Sequence, residues 1–331
     1  MKKILITGVA GLLGANFSRH LLKKGYDVIG IDDLSGGYID NVPKDCQFHN
    51  FNLIDTEKVN KLFKDEKPDY VYHFAAYAAE GLSPFIRNFN YTNNLIVSVN
   101  IINACINNNV SKIIFTSSMA VYGKGNPPFE ESQRPSPEDP YGIAKYAVEL
   151  DLQVAKKQFG LDYAIVRPHN VVGKYQNIWD KYRNVIGIWI RQAIAGDPLT
   201  IFGDGSQTRA FSDISFYNEP FEKLMIQHSG EIFNIGADKP YTINEVSDIV
   251  INVAKKHGFE ASKVFLEPRN EVHVAYCSHD KAKNTLDFND STDLTKSVED
   301  MFEWALTQKN KDVSYADYEI TKNIYSFWQN K

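Results

Sequence analysis

One tyrosine and one lysine in this chain have the types and spacing of an acid/base pair: Tyr141 and Lys145. On a helix, residues four apart share a face, so the lysine ammonium can approach the phenol. A free phenol titrates near ~10 and a nearby cation favours its ionised form, so we expect Lys145 to lower the pKa of Tyr141. The hydroxyl of Ser118, in Thr116-Ser117-Ser118 upstream, would hydrogen-bond the reacting oxygen. Because such a pair also occurs by chance, its role depends on the elements that position it.

Composition limits the classes of protein that these residues can serve. The net charge of −5, without a basic block, argues against a nucleic-acid partner. No segment approaches the ~20 continuous apolar residues of a membrane span. The three cysteines, Cys46, Cys105 and Cys277, are far apart and fit no metal spacing, so we expect buried free thiols, no metal and a cytoplasmic location.

A glycine-rich turn near the N-terminus predicts a phosphate-binding site. Residues 3–7 form an apolar run typical of a parallel strand buried on both faces, and Gly8, Gly11 and Gly14 follow it. The periodicity then becomes helical. Glycines allow the backbone to approach a pyrophosphate whose charge lies at a helix N-terminus. The first gap is one residue longer than in the usual dinucleotide fingerprint, and a purely structural turn remains the alternative.

The next strand adds a ribose ligand. Residues 27–31 end in Asp32, about twenty residues after the glycines, where a carboxylate can accept both adenosine ribose hydroxyls. Asp33, Leu34 and Ser35 follow, with no arginine or lysine among them. Because the second acid repels a 2′-phosphate, we expect NAD rather than NADP. The alternative for Asp32 is a solvated acid at a strand end.

Alternating strands and helices predict an α/β fold with a doubly wound parallel sheet. Strands are expected at 46–52, 70–74 and 112–116, with a long helix at 88–107. We predict a first domain of residues 1–170, to which part of 205–245 returns, and a smaller second domain of residues 171–331. Ligands of such sheets bind beyond the carboxyl ends of the strands, where 74–76 and 116–118 fall. His73 is expected to be a packed strand residue rather than a catalytic one.

Taken together, these residues resemble the extended short-chain dehydrogenase/reductase family, in particular its nucleotide-sugar epimerases. The matching segments, in family order, are residues 7–14, 32–35, Asp55, 73–76, 93–94, 117–123, 141–145, 167–170 and 202–205 followed by Arg209. The resemblance implies that Ser118, Tyr141 and Lys145 are catalytic and that Lys145 also binds the nicotinamide ribose. The NAD-binding residues that we predict are Gly8, Gly11, Leu12, Leu13, Gly14, Asp32, Asp33, Leu34, Ser35, Leu53, Asp55, Phe74, Ala75, Ala76, Asn94, Ser117, Tyr141, Lys145 and Pro168.

The two residues after Ser118 narrow the reaction that the resemblance implies. Family members remove a hydride from a sugar carbon while tyrosinate takes the hydroxyl proton, which gives a 4-keto sugar and NADH. The 4,6-dehydratases carry Asp-Glu after the catalytic serine or threonine, whereas this chain has Met119 and Ala120. Neither can transfer a proton, so the expected reaction is epimerisation at C4, most simply of UDP-glucose and UDP-galactose. The alternatives are a UDP-hexuronic acid or UDP-N-acetylhexosamine epimerase, a net NAD(P)-dependent ketosugar reductase, and a binding protein without turnover.

The resemblance also implies where a nucleotide-diphosphate sugar binds. Arginine forks suit phosphate oxygens because they offer two parallel charged hydrogen bonds. The substrate-binding residues that we predict, besides Ser118 and Tyr141, are Asn170, Asn184, Val185, Thr200, Phe202, Arg209, Arg269, Tyr276, Glu80 and Arg87. Tyr276 falls where some hexose epimerases carry a bulky residue, so we expect it to crowd an N-acetyl group at C2.

Two further features leave alternatives open. The segment 79–87 departs from the family, so Glu80 and Arg87 either select an unusual hexose or pair with each other on the surface. The family commonly dimerises through the helix at 88–107 and the one carrying Tyr141. We therefore expect a homodimer, although a helix buried against its own sheet has the same apolar pattern. The aromatic residues Tyr315, Tyr318, Tyr325, Phe327 and Trp328 are expected to pack on the body or on a partner.

Overall fold

The strands of this protein were located in a computed structural model that describes residues 2–269, 271–311, 313 and 317–329. They are β1 Lys3–Thr7, β2 Asp27–Asp32, β3 Gln47–Asn50, β4 Tyr70–His73, β5 Lys112–Thr116, β6 Asp162–Pro168, β7 Val171–Val172, β8 Leu199–Phe202, β9 Thr208–Ala210, β10 Ser212–Asp213, β11 Glu231–Ile235, β12 Pro240–Thr242, β13 Lys263–Leu266 and β14 Val274–Ala275.

The helices alternate with the sheet strands in the first half of the chain and cluster in the second. They are α1 Leu12–Lys23, α2 Thr56–Glu66, α3 Arg87–Tyr91, α4 Val97–Asn107, α5 Pro140–Phe159, α6 Val185–Ala195, α7 Asn218–Ile226, α8 Ile243–Lys256, α9 Asp280–Leu286, α10 Leu294–Leu306 and α11 Ser326–Gln329. Short 3₁₀ turns occur at Ile39–Asn41, Glu80–Phe85, Met119–Val121 and Ile214–Tyr217.

The central sheet is parallel throughout and has the order β11-β6-β5-β4-β1-β2-β3. The chain builds outward from β1 through β2 to β3, and then continues on the other side of β1 with β4. This reversal leaves a crevice at the carboxyl ends of β1 and β4, which is where doubly wound folds bind ligands. The predicted α/β fold with a doubly wound parallel sheet is confirmed.

Helices cover both faces of this sheet, so its inner strands β1, β5 and β6 are almost entirely buried. One face packs on α1, α7 and α9, where Phe17 and Phe221 lie at the centre of the core. The other face packs on α2, α4 and α5, with Val59, Ile101 and Leu152 facing the strands. Two-sided burial explains why the strands read as continuous apolar runs rather than as alternating patterns.

A further core lies in the second half of the chain. Helices α6, α8 and α10 pack together beside the parallel pair of β8 and β13, around Trp189, Val250 and Phe302. Strand β11 lies outside this core and forms the edge of the central sheet beside β6. A domain boundary near residue 170 remains a prediction.

The helix predicted at 88–107 has an interruption. A π-helical turn, Thr92–Ile96, separates α3 from α4. The extra residue of a π turn rotates the side chains that follow it, and such turns are frequent at functional sites. The strand expected at 46–52 is shorter, because only Gln47–Asn50 pairs with β2.

The C-terminal aromatic residues pack on the body of the protein. Trp328 is 1% exposed and lies in an apolar cluster with Leu82, Phe85 and Tyr182. Tyr315 lies outside the described residues. All three cysteines are buried free thiols, as expected. Among the described residues, no helix has both the length and the apolarity that crossing a membrane requires.

Candidate active site

A cavity of about 1040 Å³ extends from the carboxyl ends of the sheet strands to the helices of the second half. It is large enough for two ligands side by side, because typical small-molecule sites occupy roughly 300–1,000 Å³. One half is lined by the glycine turn, the ends of β2 and β4, and the start of α5. The other half is lined by residues of α6, β8 and β9 and by Arg269, Glu271, Val272 and Ala275.

The glycine turn fits a bound dinucleotide. A Cβ on Gly14 would lie 2.2 Å from the carbonyl oxygen of Gly8, and Gly8 itself has a positive φ of 72°. Helix α1 begins at Leu12, and its N-cap Gly11 provides no side chain to bond the first amides. Gly8, Gly11, Leu12, Leu13 and Gly14 all line the cavity. The backbone therefore presents free N–H groups to an anion at a helix N-terminus, as a pyrophosphate requires.

Asp32 is held ready to accept hydrogen bonds from a ribose. Its carboxylate accepts the Ala10 amide at 3.0 Å and the Leu34 amide at 2.8 Å, and it lines the cavity. Burial raises the pKa of Asp32 to about 6, against the opposing effect of these two amides. Leu34, predicted to line the NAD site, does not line the cavity. It takes a positive φ of 61° and acts on the site only through its amide.

The remaining predicted NAD residues divide into cavity wall and support. Those in the cavity wall are Asp33, Ser35, Leu53, Phe74, Ala75, Ala76, Ser117 and Pro168. Asp55 and Asn94 do not line the cavity, and their contact with NAD remains a prediction. Asp55 caps α2 by accepting the Lys58 amide at 3.1 Å, so its carboxylate is used by the helix. Asn94 is 1% exposed, and its amide bonds both the N–H and the carbonyl of Tyr77, which fixes the loop after β4.

The expected catalytic residues meet at the middle of the cavity. Ser118 follows the end of β5, and its Oγ accepts the Ala120 amide at 3.1 Å, which leaves the hydroxyl proton free to donate. Tyr141 lies at the second position of α5, which starts with Pro140 and is capped by Asp139 through the Gly142 amide at 2.9 Å. Lys145 lies one turn later and donates to the Thr116 carbonyl at 2.8 Å.

The pKa expected for Tyr141 is a correction. Burial raises the pKa of this phenol above its ordinary value, although its interaction with Ser118 opposes the shift. Lys145 points toward the end of β5, with its nitrogen 5.8 Å from the centre of the Tyr141 ring. Burial also lowers the pKa of Lys145 to about 7, with Glu149 opposing it. Burial thus acts against the charged form of both groups.

Neighbouring polar groups are occupied by structural contacts. His73 bonds Thr7 at 2.7 Å and Ser98 at 2.9 Å, and burial lowers its pKa to about 3, so it is a neutral packed residue as expected. Ser117 donates to Glu149, whose carboxylate also pairs with Arg167 at 2.6 Å. Ser118 is consequently the serine of this segment whose hydroxyl remains available to a ligand.

The substrate half of the cavity contains most of the residues predicted for it: Asn170, Asn184, Val185, Thr200, Phe202, Arg209, Arg269 and Glu80. Arg209 pairs with Glu271 at 3.0 Å, and the Arg269 guanidinium stacks 3.8 Å from the centre of the Phe202 ring. Arg269 has no carboxylate partner among the described residues. Its position leaves a cation available to an anionic ligand.

Two predicted substrate residues lie outside the cavity wall. Side chains alternate along the extended segment from Val274, so Ala275 faces the cavity and Tyr276 faces away. The crowding of an N-acetyl group by Tyr276 remains a prediction. Arg87 is exposed at the start of α3, where its guanidinium lies 6.0 Å from the centre of the Tyr91 ring. It forms no ion pair with Glu80 in the described part of the chain.

The structure adds residues that the sequence analysis missed. Arg183 lines the cavity, pairs with Asp180 at 2.6 Å and lies 4.5 Å from the centre of the Tyr77 ring. Phe327 also lines the cavity, edge-on to Phe202. No sequence signal marked Arg183, and Phe327 was expected only to pack on the body or on a partner. Asp139 was detectable, because an aspartate followed by proline is a typical helix start.

Comparison with known proteins assigns the family. The profile of the NAD dependent epimerase/dehydratase family matches residues 4–236, which include the glycine turn, Asp32 and the three catalytic candidates. The chain belongs to this family. One relative is a putative UDP-glucose 4-epimerase of Methanocaldococcus jannaschii. It is 32% identical to this chain, and the alignment covers 91% of this chain and 97% of the relative.

Solved structures agree with this assignment. A UDP-glucose 4-epimerase of Thermotoga maritima with UDP-glucose has a TM-score of 0.87 at 29% identity, covering 92% of this chain and 98% of its own. A UDP-glucuronic acid 4-epimerase of Bacillus cereus with UDP-glucuronic acid and NAD has a TM-score of 0.81 at 28% identity, covering 91% and 98%. The predicted enzyme class, an NAD-dependent nucleotide-sugar 4-epimerase, and the predicted cofactor NAD are confirmed.

Proposed function

We propose that this epimerase interconverts UDP-glucose and UDP-galactose by NAD-dependent inversion at C4. The observation that carries the proposal is the meeting of Ser118, Tyr141 and Lys145 in the cavity, with Met119 and Ala120 directly after the serine. An elimination of water would need a proton donor and acceptor at those two positions. The choice of sugar is supported by the relatives named as UDP-glucose 4-epimerases.

The catalytic residues have distinct tasks in this reaction. Tyr141 takes the proton of the C4 hydroxyl and returns it when the reaction reverses. Ser118 donates a hydrogen bond to the same oxygen, since its hydroxyl proton stays free while one of its two lone pairs accepts the Ala120 amide. Lys145 supplies positive charge beneath the phenol. When bound, NAD accepts the hydride from C4 and gives it back to the other face of the sugar.

The rest of the cavity wall holds the substrate while its sugar turns. Arg209 and Arg269 offer charged donors to the diphosphate, and Asn170 and Asn184 lie in the same half of the cavity. Phe202 and Thr200 present an apolar and a polar surface to the base. This arrangement fixes the nucleotide and leaves the hexose free to present either face to the cofactor site.

The helices that carry the site also present a surface for a homodimer. On α5, Leu150 and Val154 are 44% and 59% exposed, and Ile96 beside α4 is 48% exposed. Exposed apolar side chains along neighbouring helices are typical of an oligomer contact. We therefore propose a dimer through α4 and α5, which light scattering of the purified protein tests.

The proposed function is tested by incubating the purified protein with UDP-galactose and measuring UDP-glucose by chromatography and mass spectrometry. The proposal predicts conversion without added reductant and without loss of water from the sugar. Parallel incubations with UDP-glucuronic acid and UDP-N-acetylglucosamine identify a different substrate. A ketosugar reductase would instead consume reduced cofactor in step with product, and that outcome would reject the proposal.

A further inference from the structure

Glu80 places an unpartnered carboxylate in the substrate half of the cavity. It begins the 3₁₀ turn Glu80–Phe85, and its side chain is open to the cavity. Its main-chain carbonyl accepts the Ser83 hydroxyl at 2.8 Å. The carboxylate itself makes no hydrogen bond or ion pair to any residue that the structure describes. A charged group held in a cavity without a partner is available to a ligand.

Glu80 shares the cavity with the catalytic candidate Tyr141 and with the arginines predicted to bind the diphosphate. Its carboxylate interacts electrostatically with Tyr141, Asp139, Arg209 and Arg269, all of which line the same cavity. A Cβ on the next residue, Gly81, would lie 3.8 Å from Nη1 of Arg269. A substrate with its diphosphate at the arginines and its C4 at Tyr141 therefore has its hexose beside Glu80.

The turn that carries Glu80 is fixed at both ends. Leu82 and Phe85 are buried in the cluster that Trp328 completes. The Ser83 hydroxyl oxygen accepts the Tyr141 amide at 3.2 Å, which joins the turn to the start of α5. The backbone of the turn is thus fixed relative to the catalytic phenol, and the exposed Glu80 side chain extends from it into the cavity.

Several charges act on this carboxylate. Although Glu80 is open to the solvent of the cavity, the protein that surrounds it partly desolvates its carboxyl and raises the pKa to about 7, with Asp139 and Glu271 adding to the shift and Arg209 and Arg269 opposing it. When ionised, the group accepts hydrogen bonds from sugar hydroxyls. It also repels a second carboxylate, and placing like charges together in a partly desolvated site carries a large cost.

We propose that Glu80 determines sugar specificity: its carboxylate accepts hydrogen bonds from hydroxyls of a neutral hexose and disfavours a nucleotide sugar whose hexose carries a carboxylate. This inference rests on the proposed function and deepens it, because it separates UDP-hexoses from UDP-hexuronic acids. The discrimination between these two sugar classes then comes from repulsion between Glu80 and the sugar carboxylate, in addition to the hydrogen bonds that Glu80 accepts from a neutral hexose.

The test compares equilibrium binding of UDP-glucose and UDP-glucuronic acid by calorimetry at pH 8, with kcat/KM measured in parallel. The proteins are wild type, Glu80→Gln, Glu80→Asp and the control Glu303→Gln, whose exposed side chain lies on α10 away from the cavity. We expect the wild type to bind UDP-glucose at least about tenfold more tightly than UDP-glucuronic acid. Glu80→Gln should reduce this ratio of the two dissociation constants by about tenfold. Glu80→Asp and Glu303→Gln should keep the wild-type preference.

Each result has a defined meaning. An unchanged ratio in Glu80→Gln, or a wild type that binds both sugars equally or neither, overturns the inference. The wild type could bind UDP-glucose selectively, through Glu80, without converting any UDP-hexose. That result would support the inference and reject the proposed function. Far-ultraviolet circular dichroism and bound NAD content confirm that the variants are folded.

Discussion

The ammonium nitrogen of Lys145 lies 5.8 Å from the centre of the Tyr141 ring and donates its hydrogen bond to the Thr116 carbonyl at 2.8 Å. The lysine is therefore anchored to the end of β5, and the phenol lies one helical turn away on α5. Because both groups are buried, the pKa of Tyr141 is raised and that of Lys145 is lowered. Burial therefore lowers the population of the phenolate near neutral pH, and we propose that bound cofactor and substrate raise it.

Replacing Tyr141 with phenylalanine should reduce kcat by about 10³-fold, since it removes the group that takes the C4 hydroxyl proton. Bound NAD and the melting temperature should be close to wild type. Tyr146→Phe is the matched control, because it lies on the same helix outside the cavity wall. Turnover is measured with UDP-galactose. A Tyr141→Phe rate within tenfold of wild type would remove this residue from the mechanism.

Replacing Lys145 with methionine should stabilise the NAD-free protein while abolishing epimerisation. The folded pKa of Lys145, about 7, lies below its ordinary value of 10.5, so the unfolded chain binds more protons between these two pH values. The lysine therefore destabilises the folded protein most below pH 7, and this destabilisation decreases as the pH rises toward 10.5.

The Lys145→Met measurement is the melting temperature of NAD-free wild type and variant at pH 7 and pH 9. We expect an increase of about 2 °C or more at pH 7 and a smaller one at pH 9. An equal or lower melting temperature at pH 7 would show that the lysine is not destabilising.

Replacing Asp32 with asparagine should weaken NAD binding by about tenfold or more, because charge-assisted hydrogen bonds to the ribose are lost. The pKa of Asp32 is about 6, so the wild type should bind NAD more weakly at pH 5.5 than at pH 7.5. Calorimetry on NAD-free protein measures both. If Asp32→Asn kept the same pH dependence of NAD binding, a group other than Asp32 would be its cause.

Replacing Glu149 with leucine should destabilise the protein by about 3 kcal/mol or more, because it leaves the buried Arg167 guanidinium uncompensated. The double variant Glu149→Leu with Arg167→Met should recover part of that loss. Urea unfolding measures the free energies. If the double variant lost the sum of the two single losses, the pair would not be coupled.

The sequence predicted the fold and the centre of the site because both depend on local patterns. Apolar runs that alternate with helices indicate a parallel sheet, and the glycines at 8, 11 and 14 indicate where α1 begins. Tyr141 and Lys145 lie on one face of α5 because helical spacing requires it. These features need no knowledge of long-range packing.

The sequence could not show which predicted residues line the cavity. Asp55 lies outside the cavity wall, where its carboxylate caps α2, and its contact with NAD remains a prediction. Tyr276 also lies outside the cavity wall, and its contact with the sugar remains a prediction. Arg183 was missed because its place depends on packing between the two halves of the chain. Burial, which sets the pKa of Tyr141, is likewise a property of the folded protein.

The most direct test of the account follows the hydrogen on C4. Purified protein without added cofactor is incubated with UDP-glucose deuterated at C4, and the product is analysed by nuclear magnetic resonance and mass spectrometry. The account predicts UDP-galactose that keeps deuterium at C4, since the hydride leaves and returns within one site. UDP-galactose carrying solvent hydrogen at C4, or no UDP-galactose at all, would contradict it.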